Sequence, residues 1–175
     1  MSKKTIFLDR DGVINKEVNY LYKVDDFKFI KGVFNACQHF QNLGYQIIIV
    51  TNQSGIFRKL YTLEDYQHLT SWMLEKFESK KINITDIYFC PHGPKSDCNC
   101  RKPKPGMLLK AKKNYGIDMK KSWMIGDKED DIIAANAAGI ENTILVQSGH
   151  KINSLNSNAK FFLESINQSI EIITS

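Results

Sequence analysis

Thr5-Ile6-Phe7-Leu8-Asp9-Arg10-Asp11-Gly12-Val13-Ile14 is the stretch that decides the fold. Its apolar run Ile6-Phe7-Leu8 reads as a buried strand, and the strand stops at two aspartates one residue apart, followed by a glycine. Side chains alternate along an extended backbone, so Asp9 and Asp11 start on the same side of the chain while Arg10 points elsewhere. Two acids in one small site suit a metal-assisted reaction in which one carboxylate attacks and the other moves a proton. A strand end followed by an ordinary Asp-Gly turn has the same local sequence, so the remaining strands decide between the two readings.

Those strands follow in a regular order. Gly32 to Leu43 carries Val33, Phe34, Ala36, Cys37, Phe40 and Leu43 at helical spacing and closes at Gly44. Cys37 falls on the apolar face and reads as core. Tyr45 to Val50 is a nearly continuous apolar run, as in a strand buried on both faces, and it ends in Thr51-Asn52-Gln53-Ser54-Gly55. Thr62 with Asp65 caps the next helix, whose stripe is Tyr66, Leu69, Met73 and Phe77. A third strand at Asp86-Phe89 leads into a cysteine-rich loop. A helix then runs from Gly106 to Tyr115, a fourth strand, Trp123-Ile125, runs into Gly126-Asp127, and a helix at Ile132-Ala138 ends at Gly139. A fifth strand at Thr143-Val146, then a short strand and a closing helix, complete the chain.

Strands alternating with helices predict an α/β, Rossmann-like three-layer sandwich on a mainly parallel sheet, with ligands at the carboxyl ends of the strands. Asp9, Asp11, Thr51, Asn52 and Asp127 all follow strands directly and converge there. Two aspartates from the first strand and one from the fourth make a hard oxygen site for Mg²⁺. Lys102 reaches a phosphate at that site from the loop after the third strand, while Thr51 and Asn52 donate hydrogen bonds to its oxygens. Positioning and charge stabilisation of this kind are what phosphoryl transfer requires.

The 175 residues suit one domain, 1–175, with 42% hydrophobic and 25% charged residues as in an ordinary globule. No run approaches the ~18 apolar residues of a membrane span, and a cytoplasmic location without membrane attachment is expected. The net charge of +5 is scattered, and the one dense basic cluster, Arg101-Lys102-Pro103-Lys104, is kept out of a helix by its proline. An anionic small molecule fits this pattern better than nucleic acid.

Cys90-x-His92 and Cys98-x-Cys100 supply three sulfurs and an imidazole, the ligand count of a closed structural Zn²⁺ site. A disulfide fits a cytosolic chain poorly, and a catalytic cysteine would lack a dedicated base. Zinc here would fix the loop that delivers Arg101 and Lys102.

Asp-x-Asp-Gly-x-Ile at the first strand, Thr-Asn at the second, Arg-Lys-Pro in the loop and Gly-Asp-x-x-x-Asp at the fourth together resemble the four motifs of the haloacid dehalogenase superfamily. The longer matches, Phe7 to Gly12, Thr51 to Ile56 and Cys100 to Pro103, resemble its heptose bisphosphate and histidinol phosphatase group, over Thr5 to about Val146. The resemblance implies an Mg²⁺-dependent phosphatase that works through an aspartyl-phosphate and has a zinc loop but no large cap domain. Its implied substrate is a phosphorylated sugar, a heptose 1,7-bisphosphate losing its 7-phosphate in the supply of nucleotide-activated heptose for surface polysaccharide.

Carried onto this chain, the resemblance implies Asp9 as nucleophile and Asp11 as acid and base. Mg²⁺ lies on the carboxylates of Asp9 and Asp127 and the carbonyl of Asp11, with the phosphoryl group on Thr51 and Lys102. Asn52, Arg101 and Lys128 contact substrate, the latter two at its remaining phosphate, and Asp131 supports Lys128 or the metal's water shell. Asn15, Tyr20, Gln53, Ser54 and Arg58 are further candidate substrate contacts, from the connections 15–30 and 53–61. A monomer is expected. Histidinol phosphate is the second candidate substrate, although the histidinol enzymes tend to carry Asp and Arg where this chain has Ser54 and Lys128. A non-catalytic zinc-loop binding protein should have lost an acid, yet Asp9, Asp11 and Asp127 are all present. Phe57-Arg58-Lys59 departs from the group's usual small residue, Arg and Gly.

Overall fold

The structure is a computed structural model and describes residues 3–151 and 154–175. Six strands form one parallel sheet: β1 (Thr5–Leu8), β2 (Gln46–Asn52), β3 (Asp86–Cys90), β4 (Trp123–Gly126), β5 (Asn142–Val146) and β6 (Phe161–Leu163). Their order is β3-β2-β1-β4-β5-β6. The direction of winding reverses beside β1, and at such a switch point the crossovers diverge and leave a crevice at the carboxyl ends of the strands.

Alternation along the strands assigns residues to the two faces. Ile6, Leu8, Ile47, Ile49 and Ile125 face one layer, packing with Val33, Ala36, Cys37 and Phe40 of α1 (Val33–Asn42) and Leu69, Met73 and Phe77 of α3 (Leu63–Ser79). Phe7, Ile48, Val50 and Met124 face the other, against Met107, Leu108 and Ala111 of α4 (Gly106–Tyr115) and Ala134 and Ala135 of α5 (Glu129–Ala137). Every residue of β1 is buried, as a central strand of a doubly covered sheet requires. Cys37 is wholly inside, and burial pushes its thiol up to about 12.

The Thr62 hydroxyl accepts from the Asp65 amide while the Asp65 carboxylate accepts from the Thr62 amide, so α3 begins at a complete capping box. Two features depart from the sequence reading. Helix α5 starts at Glu129 rather than Ile132, because Asp131 accepts from the Lys128 amide and three acids occupy the first turn, where the helix dipole favours them. A single helical turn, α2 (Ser54–Phe57), stands within the connection expected as loop, and a second short helix, α6 (Ser169–Ile172), closes the chain. No helix among the described residues is long and apolar enough to cross a membrane.

Candidate active site

At the carboxyl edge of β1 the chain does not simply turn. The Asp9 amide donates to Ile125 O on β4 and the Arg10 amide donates back to Asp9 Oδ1, which fixes the first carboxylate against the sheet. Gly12 has φ +86, and a Cβ there would run into the Asp127 carboxylate, so only glycine lets the β1 loop pass over the β4 aspartate.

Lys102 is the anchor between strands. Its ammonium lies 2.6 Å from Asp131 Oδ1 and 3.0 Å from Asp9 Oδ1, and it donates to Val50 O at 2.7 Å. Asn52 holds the backbone of the same residue, donating to Lys102 O and accepting from Lys102 N. Asp131 was expected to support Lys128 or the metal's water shell. Its side chain instead holds Lys102 with one oxygen, while the other accepts from the backbone amides of Asp127 and Lys128.

Arg10 likewise departs from its expected direction. Its guanidinium curls back to Asp11, 2.9 and 3.0 Å from the two carboxylate oxygens, because a buried cation requires a partner. Asn15 donates to Asp11 Oδ1 and Gln53 to Asp11 Oδ2, so both oxygens are held. Gln53 also donates to Thr51 Oγ1 and accepts from the Tyr61 hydroxyl at 2.5 Å. Tyr61 was absent from the sequence reading, since nothing in its local pattern marks a tyrosine whose hydroxyl reaches Gln53.

A cavity of about 280 Å³ opens over these groups. Of the residues singled out from sequence, Asp9, Asp11, Tyr20, Asn52, Gln53, Ser54, Arg58, Arg101, Lys102 and Lys128 line it. Asn15 does not line it: it is fully buried and braces Asp11 rather than facing a substrate. Thr51 lies a layer deeper, 1% exposed, beneath Gln53. Glu17 and His150 also line the cavity and were missed, lying in segments without a motif. Tyr20, Arg58 and Lys128 are exposed, with the Arg58 guanidinium over the Tyr20 ring, so cations predominate at the mouth, beside the exposed carboxylate of Asp130, and the buried carboxylates lie at the floor.

Three carboxylates, Asp9, Asp127 and Asp131, meet one ammonium on that floor. Burial pushes Asp9 up to about 6, with Lys102 pulling down against repulsion from Asp131 and Asp11. Burial and then Asp9 push Asp127 up to about 9. Burial also opposes the charge on Lys102, yet Asp131 and Asp9 outweigh it and raise its pKa. The floor therefore crowds three carboxyl groups around one ammonium, too little positive charge to keep all three ionised, and Asp127 Oδ1 is buried with no hydrogen-bond partner. An oxygen-rich site with an orphaned carboxylate oxygen fits a hard divalent cation such as Mg²⁺.

A second cluster stands in the loop after β3. Cys90 Sγ lies 3.1 Å from Cys100 Sγ, 3.9 Å from Cys98 Sγ and 3.4 Å from His92 Nδ1. A tetrahedron with 2.3 Å zinc–sulfur arms has edges of about 3.8 Å, so the four ligand atoms need only small adjustments to close on Zn²⁺. All the cysteines are free thiols.

Carboxylates on β1 and β4, a lysine from the loop after β3 and a sheet switching beside β1 define a haloacid-dehalogenase-like hydrolase. A HAD-hydrolase-like family model matches residues 99–168. The chain is 47% identical to D-glycero-alpha-D-manno-heptose-1,7-bisphosphate 7-phosphatase of Photorhabdus laumondii, over 89% of each chain. It is 44% identical to the D-glycero-beta-D-manno-heptose-1,7-bisphosphate 7-phosphatase of Helicobacter pylori, over 83% of this chain and 84% of the relative. In structure it resembles D,D-heptose 1,7-bisphosphate phosphatase from B. bronchiseptica complexed with magnesium and phosphate, with a TM-score of 0.86, 28% identity and 97% of each chain covered. The chain belongs to the D-glycero-D-manno-heptose-1,7-bisphosphate 7-phosphatase family, whose members are phosphoric monoester hydrolases.

Proposed function

We propose that this protein removes the 7-phosphate of D-glycero-D-manno-heptose 1,7-bisphosphate, with Asp9 as nucleophile and Asp11 as acid and base. The observation that carries the reading is the Asp9–Lys102 pair on the floor of a cavity whose mouth is cationic. Asp9, held at one oxygen by Lys102 and the Arg10 amide, attacks phosphorus, and the bond to the sugar oxygen breaks. Asp11 gives its proton to the departing alkoxide, then takes one from the water that opens the aspartyl-phosphate. Arg10, Asn15 and Gln53 hold the Asp11 carboxylate in place for both transfers. Lys102 binds the transferring group, and Thr51 joins it once Gln53 swings off the Thr51 hydroxyl. Bound Mg²⁺, on Asp9, Asp127 and the Asp11 carbonyl, supplies charge to offset that of the phosphoryl oxygens.

Arg101 and Lys128, with Arg58 and Tyr20 at the mouth, receive the phosphate that remains. A zinc ion on Cys90, His92, Cys98 and Cys100 shapes the loop that presents Arg101. Loops from the carboxyl ends of one parallel sheet build the whole cavity, which supports a single domain over residues 1–175. A cytoplasmic setting goes with this reading, and the scattered positive charge gives no stripe for nucleic acid.

The test is phosphate release in Mg²⁺ from both anomers of heptose 1,7-bisphosphate, beside histidinol phosphate and fructose 1,6-bisphosphate. Preference for one heptose anomer is expected, with Asp9→Asn lowering kcat by at least about 10³-fold, since no other group takes over as nucleophile. Faster turnover of histidinol phosphate overturns the substrate, and activity retained in Asp9→Asn overturns the mechanism.

A further inference from the structure

The proposed magnesium position takes Asp127 as a ligand, and two further ligand-bearing residues outside that set lie against the same side chain. His150, on the loop after β5, places Nδ1 2.5 Å from Asp127 Oδ2, whereas Oδ1 of the same carboxylate is buried without a partner. Glu17, half-buried on the loop after β1, completes a trio whose ligand atoms all lie within 4.8 Å of one another.

The trio is built into the fold. A Cβ on Gly149 would run into Asp127 Oδ2 and approach Gly12 Cα, so two glycines permit the β5 loop to close over the β4 aspartate. Ser148 Oγ donates to Gly12 O at 2.7 Å and fastens that loop to the one after β1. His150 is thereby brought to the aspartate from across the switch point.

We propose that Glu17, Asp127 and His150 form a second divalent-cation subsite, beside the magnesium position and sharing Asp127 with it. Asp127 would be the ligand common to both ions. Two carboxylates and an imidazole suit Mn²⁺, Co²⁺ or Zn²⁺, which accept nitrogen, better than Mg²⁺, which keeps oxygen ligands and much of its water. Paired ions across a shared carboxylate are the arrangement that clamps both oxygens of an in-line displacement. The inference rests on the proposed function for the first ion position only.

The test uses the full zinc-loaded chain, freed of Mg²⁺ and titrated with Mn²⁺. Bound ions are counted from the free Mn²⁺ electron-spin resonance signal, and ¹⁴N modulation of the spin echo reads a nitrogen ligand. Of the other histidines, His92 belongs to the zinc cluster, His39 Nε2 lies 2.7 Å from Ile173 O, and His68 lies on α3 outside the cavity, so the modulation reports His150. Two ions per chain with ¹⁴N modulation are expected. His150→Gln should bind one ion and lose the modulation, and Glu17→Gln should weaken the second ion at least about tenfold, the worth of one charged ligand contact. One ion or none in the parent chain overturns the proposal, as do two ions with unchanged modulation in His150→Gln. Phosphate release in Mg²⁺ on the same preparation judges the proposed function separately.

Discussion

Two loops flank the active site and are held in opposite ways. Residues 15–30, after β1, are pinned at both ends by the backbone: Lys16 N donates to Lys28 O and Ile30 N to Ile14 O, each at 2.8 Å. Between those ends Leu21 and Phe27 are buried, and Phe27 and Phe29 stack edge to face with each other while Phe29 also meets Trp72 and Phe77 of α3. Residues 91–105, after β3, bury only Gly93 and Lys102. The first loop is an outlying part of the core. The second has almost no apolar surface to bury, so its hold on the core rests on one buried ammonium and, in the proposed function, on a metal at its Cys/His cluster.

The largest effect is expected where the second loop meets the core. Asp131→Ala leaves the Lys102 ammonium buried with Asp9 alone and strips the acceptor from two amides. Removing one partner of a buried pair costs about 3–5 kcal/mol, and chemical denaturation should show a loss of that order. A loss under about 1 kcal/mol, the scale of an exposed pair, would mean that zinc alone fixes the loop.

Phe27→Ala comes next, at about 3 kcal/mol of global stability, the low end for a buried aromatic. Zinc content should stay at one per chain, since Phe27 packs with α3 and not with the cysteines. A zinc loss that tracks the unfolding would break the distinction between the two loops.

Removing the metal ligand cluster probes the other side. Cys100→Ser, or zinc chelation, should abolish hydrogen-exchange protection in 91–101 and leave that of 15–30 intact. Arg101, whose guanidinium donates to His92 O inside the loop, loses its position, while Lys102 keeps Asp131, Val50 O and Asn52. KM should therefore rise about 10- to 100-fold, the roughly 1.5–3 kcal/mol of a charged hydrogen bond, with kcat changed far less. Thiol labelling after chelation should count the three loop cysteines and spare Cys37, whose raised pKa keeps it protonated at pH 8. Labelling of Cys37 would show that the whole sheet had opened.

The same difference governs what the sequence made legible. Strand ends and apolar periodicity are local signals, so all six strands and the carboxylates at β1 and β4 could be read directly. That Cys90, His92, Cys98 and Cys100 come together was legible because a ligand set of this kind calls for particular residue types at close spacing. What escaped depends on contacts far apart in the chain: Arg10 turning back to Asp11, Asn15 bracing that acid, Asp131 holding Lys102, and Glu17 and His150 converging on Asp127. Each is a polar residue in a loop, and nothing in its neighbours along the sequence says where its side chain ends. Helix α2 escaped for another reason, because one turn is too short to display a helical period.

Phe57, on α2, gives the smallest expected effect and the most local. It is 62% exposed, yet its ring occupies the space over Gly93, where an added Cβ would stand 2.6 Å from Cδ1. The ring thus covers one of the two buried residues of the 91–105 loop, from the short helix α2 on the neighbouring connection. Phe57→Ala should cost less than about 1 kcal/mol, since most of the ring is already in water. Its effect should appear as faster hydrogen exchange at residues 93–96 and a KM change of about two- to threefold, with zinc content unchanged. Gly93→Ala pushes the same contact from the other side and should displace the ring, because an aromatic at an exposed edge can swing outward. If both substitutions leave exchange and KM as they were, zinc and Lys102 suffice to hold the loop and Phe57 is only an exposed ring on α2.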